Sequence, residues 1–417
     1  MIASPIVFHM FNTDENAARQ LLLHEQWGLA RTAHRPELNT VPQAEGEVAH
    51  YFVVGFGWMG QTVALQMARL AHFANRKRLR LTLIDRFDSD PAAQRLKQGF
   101  LDRHPGFCPA GLNLRAHVER ADDPDAWSSR RARPAHDAWR IDREEAVEYA
   151  VNAEFLDMGS AVDAPPLVRR LIERIEPAVG ATPRVALALC FDEDAANFEA
   201  ALRLRSALAE ARSDGRLSRS VPIYVYAPDE EGLADLLDRM RAETAFPLLP
   251  FGRREDVANY ERITQTQLRT MARAVHEFYR ERYGGAPWRE LPPEMKASNE
   301  DAAAHGAVKL DVLGWHLRPR TAGEAAPAPA LQDKDVELLA EIEHNRWMGE
   351  RLSIGWRYGE KNEDGPENKR RTTFCAWERL ADEKEKDERH IQALAEMYRA
   401  AGFVVEAESD ARAGGSH

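Results

Sequence analysis

Hydrophobic and polar positions fall into two rhythms along this chain. Between residues 49 and about 258, short apolar runs alternate with amphipathic stretches of helical period. Apolar runs at His50–Val54, Leu79–Asp85, Ala153–Met158, Arg184–Phe191, Val221–Ala227 and Phe246–Phe251 read as strands. The Arg184–Phe191 run is nearly continuous, as in a strand buried on both faces. The stretches Met59–Ala74, Pro166–Ile175, Ala195–Arg212 and Gly232–Ala242 read as helices. This β-α alternation predicts a doubly wound parallel sheet with right-handed crossovers. After about 258 the strand signals stop and two helix-rich halves follow, separated by a Pro/Ala linker, Arg318 to Gln332.

The expected organisation is therefore an extension over 1–48, an α/β domain over 49–258, a mainly α-helical domain over 259–405 and a disordered tail over 406–417. In the extension, Pro5–Met10 reads as a short strand, and Asn12-Thr13-Asp14 caps a helix that carries Ala17 to His24. Residues 104–147 break the alternation with Pro, Asp and Arg clusters and two tryptophans, Trp127 and Trp139. They read as an insertion beside the sheet that packs on it or covers a ligand.

Chemistry enters at the end of the first strand. Gly55-Phe56-Gly57-Trp58-Met59-Gly60 fits G-x-G-x-x-G, between a strand and a helix, the context that gives the motif meaning. Gly55 permits a tight turn, Gly57 lets a pyrophosphate approach the backbone, and Gly60 lets helix pack on strand. The helix N-terminus offers N–H groups and a positive dipole end to phosphates. Asp85 ends the second strand, where a carboxylate can accept from ribose hydroxyls and repel a 2′-phosphate, favouring NAD(H) over NADP. Arg86, next in the chain, tempers that repulsion. The alternative is a turn shaped by glycines that has lost its ligand.

Composition narrows the classes. A net charge of −11 argues against general nucleic-acid binding. No run of 18 apolar residues occurs, so no membrane insertion is expected. Residues Met1 to Met10 lack a signal peptide's charged start and apolar core. The three cysteines, Cys108, Cys190 and Cys375, form no CxxC pair, so neither a metal site nor a disulfide framework is expected, and a reducing, cytoplasmic location fits.

The first half resembles the TrkA-N type Rossmann domain of potassium-conductance regulators, over roughly 49–255 less the insertion. Besides the glycine turn, the resemblance rests on Phe191-Asp192-Glu193-Asp194-Ala195-Ala196-Asn197. It implies that Asp192 contacts the ligand from its second side; an N-terminal helix cap is the other reading of that residue. Such domains commonly dimerise, so a homodimer is expected. The stretch Asn16 to Leu22 is similar to leaders that precede such domains in channel-linked proteins.

The second half repeats itself. Met271-Ala272-x-x-x-His276-x-x-Tyr279 recurs as Leu339-Ala340-x-x-x-His344-x-x-Trp347. Trp288-x-x-Leu291 recurs as Trp377-x-x-Leu380, and Gly314-Trp315 as Gly402-Phe403. The repeats span 262–317 and 333–405. The second copy, with His344-Asn345-Arg346-Trp347 and Gly355-Trp356-Arg357-Tyr358-Gly359, closely resembles the ryanodine-receptor-type (RyR) repeat. The first departs from it, with Tyr279 in place of a Trp and a shorter arm. The resemblance implies a cleft holding an adenine nucleotide between Tyr279 and Trp347, with Arg346, Arg351 and Arg357 on phosphates. His276 and His344 then either donate to the ligand or cap a backbone carbonyl.

Together these features predict a nucleotide sensor that binds NAD(H), ADP-ribose or a related small-molecule nucleotide. Its expected partners are a second copy and a separate effector or channel protein. By resemblance its setting is bacterial conflict signalling, including antiphage defence. Two alternatives stand beside it. One is an NAD- or nucleotide-dependent enzyme, for which His344 and Glu343 are acid-base candidates although no catalytic constellation stands out. The other is a scaffold with a degenerate site.

Overall fold

The computed structural model of the chain describes residues 12–22, 48–107, 118–120, 150–177, 183–228, 231–240, 245–257, 266–321, 323–324, 329–365 and 368–407. The expected strand Pro5–Met10, Cys108, the Trp127 and Trp139 segment and most of the 406–417 tail lie outside them.

Helix α1 (Thr13–Leu22) leads to β1 (Val48–Val54), α2 (Trp58–Leu70), β2 (Arg80–Asp85) and α3 (Pro91–Arg103). Next come β3 (Val118–Arg120), β4 (Asn152–Asp157), α4 (Pro165–Ile175) and β5 (Pro183–Leu189). The α/β half ends with α5 (Asp194–Ser213), β6 (Ile223–Tyr226), α6 (Glu231–Arg239), β7 (Leu248–Phe251) and α7 (Arg254–Val257). The sheet order is β3-β4-β2-β1-β5-β6-β7, and every pairing is parallel. This is a Rossmann-like doubly wound sheet, and the strand order reverses between β1 and β5.

Alternation along the central strands explains the two faces. Tyr51 and Val53 of β1 and Ala186 and Ala188 of β5 join one core with α1, α2 and α3. Phe52, Val54, Leu187 and Leu189 join the other core, with α4, α5 and α6. The extension is part of the first layer. Asn12 Oδ1 accepts from the Asp14 and Glu15 amides, an N-cap at the expected place. Asn16 Nδ2 donates to the Val257 carbonyl at 3.2 Å, which fixes α1 to the end of the domain.

The 104–147 segment differs from an insertion beside the sheet at both of its described parts. Its first residues form a 3-10 turn, Pro105–Phe107, with Phe107 in the main core. Val118–Arg120 then adds an edge strand beside β4. The segment is thus partly built into the sheet layer rather than set beside it.

The C-terminal half is a structural duplication. The first unit runs from α8 (Thr266–Tyr283) through a 3-10 turn at Trp288–Glu290 to α9 (Pro293–Ala304), α10 (Gly306–Leu313) and β8 (Trp315–Pro319). The second runs from α11 (Asp333–Ser353) through a small sheet of β9 (Arg357–Tyr358), β10 (Glu363–Asp364) and β11 (Lys369–Arg371) to a 3-10 turn at Trp377–Arg379. It finishes with α12 (Lys384–Gln392), α13 (Leu394–Ala400) and β12 (Phe403–Ala407). Strands β8 and β12 pair antiparallel and close the two units on each other. The expected tail is corrected at its start, since Glu406 and Ala407 lie in that strand. Gly314 and Gly402, with φ of 63° and 90°, end the last helix of each unit in the left-handed region.

The halves are not beads on a linker. Ala304, Val308, Met348, Leu352, Trp356 and Phe374 belong to the same core cluster as β1 and α2.

Candidate functional site

The glycine turn lies at the reversal between β1 and β5, where open α/β sheets form their ligand crevice. The Gly55 amide donates to the Ile84 carbonyl at 2.9 Å, and its φ of +90° disfavours any side chain. A Cβ on Gly60 would overlap the Gly55 carbonyl, so helix and turn touch backbone to backbone. Gly57 caps α2 in an extended conformation, and a Cβ there would run into the Asp192 carboxylate. Gln61 braces the turn through Nε2 to the Phe56 carbonyl at 3.1 Å, and Arg103 holds Gln61 in turn.

The remaining motif residues divide by side chain. Phe56 is fully buried against Phe87, Phe100 and Phe155, and Met59 sits in the same core. These two are corrected from ligand contacts to core residues that offer only backbone to the turn. Trp58 is 66% exposed at the first position of α2.

Asp85 ends β2 as expected. Its carboxylate accepts the Phe56 amide at 2.6 Å and the Arg86 amide at 2.7 Å. Burial raises its pKa, while these amides oppose the shift. Asp157, its register partner on β4, accepts the Asp88 and Gly159 amides at 2.8 and 3.0 Å. Beside them an open hollow of about 770 Å³ is lined by Arg86, Asp88, Ser89, Asp90, Asp157, Gly159 and Ser160. Exposed Asp192 stands across the turn, one residue before the N-cap of α5 at Glu193, so the helix-cap reading of Asp192 does not hold.

Asn197 is the residue whose role the sequence did not disclose. Its Oδ1 accepts the Phe191 amide at 2.8 Å, and its Nδ2 donates to the Phe191 and Tyr226 carbonyls at 2.8 and 3.1 Å. It thereby sews the loop carrying Asp192 to the ends of β5 and β6. An Asn inside a helix's first turn, beside a strand end, was the available signal.

The C-terminal candidates are not assembled as the resemblance implies. His276 Nε2 bonds the Ala286 carbonyl at 3.0 Å, and His344 Nε2 bonds the Cys375 carbonyl at 3.2 Å. Each carbonyl lies two residues before the tryptophan of its unit, so both histidines pin a helix to its Trp turn. Tyr279 stacks on His390 at 5.5 Å, whereas Trp347 packs on Phe374 at 5.1 Å. Tyr279 packs against the core of α8, α9 and α13 and Trp347 against the main core, so each ring is held by its own cluster.

Arg346 is buried and bonded to Glu343 and Glu350 at 2.9 and 3.0 Å, which commits its charge internally. Arg351 approaches Ser298 Oγ at 3.5 Å and Glu350 at 3.7 Å, and Arg357 donates to the Trp356 carbonyl at 2.9 Å. Lys309, also buried, completes the chain with a 2.6 Å bond to Glu343. Burial pushes the Glu343 pKa up, but Arg346 and Lys309 outweigh it and hold the group well below the usual range. Its two oxygens are engaged, Oε1 by Arg346 and Oε2 by Lys309, so neither carboxylate oxygen faces a crevice where it could take a substrate's proton. The pattern Glu343, Arg346, Glu350 has the i,i+3 and i,i+4 spacing of helical ion pairs, so this pairing was available in the sequence.

No protein-family model matches the chain, and no curated protein is significantly similar to it. Among the described residues no group of His, Cys, Asp or Glu could hold a metal, and no helix is long and apolar enough to cross a membrane.

Proposed function

We propose that this protein is a nucleotide sensor whose ligand, NAD(H), ADP-ribose or a close relative, lies over the glycine turn. The observation that carries the reading is the placement of Gly57. It caps α2 at the strand-order reversal, with an extended backbone and without a side chain of its own. Asp85 on one side and Asp192 on the other would flank a dinucleotide, Asp85 at the adenosine ribose and Asp192 at the second half. The acidic lining of the hollow supports NAD(H) over NADP.

The TrkA-N and RyR resemblances fit this reading. The RyR likeness draws support from the duplicated helix–Trp turn–helix–helix–strand unit. The adenine cleft between Tyr279 and Trp347 draws less, because each ring already has an aromatic partner of its own and Arg346 is committed to Glu343 and Glu350. The C-terminal half is accordingly proposed as the responding module. A homodimer and a separate effector or channel protein would be its partners, in conflict signalling of the antiphage kind.

The test is isothermal titration with NAD, NADH, ADP-ribose and ATP, paired with thermal unfolding. Ligand at 100 times its dissociation constant is expected to add about 2.7 kcal/mol of stability. Gly57→Asp, which places a second carboxylate at the helix N-terminus, is expected to abolish that gain. If none of the four compounds binds the wild-type protein at millimolar concentration, the scaffold reading takes its place.

A further inference from the structure

We infer that occupancy of the glycine turn is transmitted to the C-terminal half through one helix, α11. The inference rests on the nucleotide reading and adds its output route. Two of the helices that begin at the ligand crevice, α2 and α3, end on α11. Helix α2 starts at the glycine turn. Helix α3 starts just after Asp90, in the wall of the hollow, and the Asp90 side chain caps it by accepting the Ala92 amide at 2.8 Å.

At its far end, α2 meets α11 without a gap. A Cβ on Gly349 would lie 2.5 Å from His72 Nε2 and 2.7 Å from the Ala68 carbonyl oxygen. Arg76, beyond the end of α2, pairs with Glu341 at 3.0 Å. The end of α3 meets the same helix: His104 Nδ1 bonds the Ser353 carbonyl at 2.9 Å, and Gly106 sits under the Leu352 carbonyl. Backbone-close contacts of this kind leave no slack, so a shift at either helix start reaches α11.

The adjoining side of α11 carries the buried charges. Arg346 bonds both Glu343 and Glu350, Lys309 bonds Glu343, and Ser298 Oγ donates to Glu350. His305 links the two systems, with Nε2 on the His72 carbonyl at 3.0 Å and Nδ1 3.9 Å from Glu343. A buried ion chain has few alternative pairings, so movement of α11 resolves into discrete arrangements of the duplicated unit.

Hydrogen exchange of the full chain, with and without saturating NAD, tests this. Peptides over 53–62 report binding, and peptides over 339–353 report transmission. Both are expected to slow, the second by about twofold or more. Gly349→Ala forces α2 and α11 apart, and Arg76→Gln removes the partly exposed pair and carries the test if Gly349→Ala does not fold. Each is expected to keep the 53–62 response and lose at least half of the 339–353 response. A response confined to 53–62 in the wild type overturns the transmission and leaves the nucleotide site standing. No response at 53–62 overturns the nucleotide reading and the transmission with it.

Discussion

A single side chain, Asn197, shows how the candidate site is held. Three hydrogen bonds from one buried amide group fix the ends of two strands. Asn197→Ala leaves buried backbone groups unpaired and is expected to cost about 2–3 kcal/mol, read by urea unfolding. Gly60→Ala forces a methyl group into the Gly55 carbonyl and is expected to destabilise by about 1–3 kcal/mol, with a distorted turn. The buried histidines set a pH dependence. Burial lowers the His72 pKa to about 4 and the His390 pKa to about 3. Both stay neutral in the fold, whereas the unfolded chain takes up their protons near pH 6.5. Stability is therefore complete above that pH and falls on acidification, until His72 also titrates in the fold near pH 4. Each histidine removes about 1.4 kcal/mol per pH unit once the pH is well below 6.5, measurable by urea midpoints between pH 7 and pH 5.

At the scale of elements, period and punctuation in the chain were enough to place α1, α2, α4, α5 and α6 and six of the seven strands of the α/β half within a few residues. Helix α3 was missed because only Ala93, Lys97, Phe100 and Leu101 face inward along a largely polar segment. Strand β3 was missed because three residues carry no readable period. In the second half the repeat spacing was legible, down to the glycines that end α10 and α13. What spacing could not choose was the partner of each histidine, since a carbonyl and a ligand offer the same hydrogen bond. The pairing of Lys309 with Glu343 lies across two helices and needed the fold. Because His276 and His344 do equivalent work, His276→Ala and His344→Ala are each expected to loosen their own Trp turn. Faster exchange at 286–291 in the first variant and at 375–380 in the second would show it, and a common response across both turns would count against equivalence.

At the scale of the molecule, the shared core decides the behaviour. Residues from α10, α11 and the Trp356 and Phe374 turns pack in the cluster built on β1 and α2. Two halves with separate cores would unfold in two steps, but these are expected to unfold in one. Calorimetry should give a single transition whose van't Hoff and calorimetric enthalpies agree, and two resolved peaks would contradict the shared core. The glycine turn's helix would then be tethered to its neighbours rather than built into them.

The bond from Asn16 to the Val257 carbonyl also has a consequence in time. It joins positions 241 residues apart. At roughly 5–20 residues per second, the ribosome needs about 12–50 s to deliver the second partner after the first. Throughout that interval α1 can pack on α2 but not on β7 or α7, and the first layer stays open along that side. Slow, late closure of this kind makes the nascent chain a natural client of chaperones that shield apolar helices.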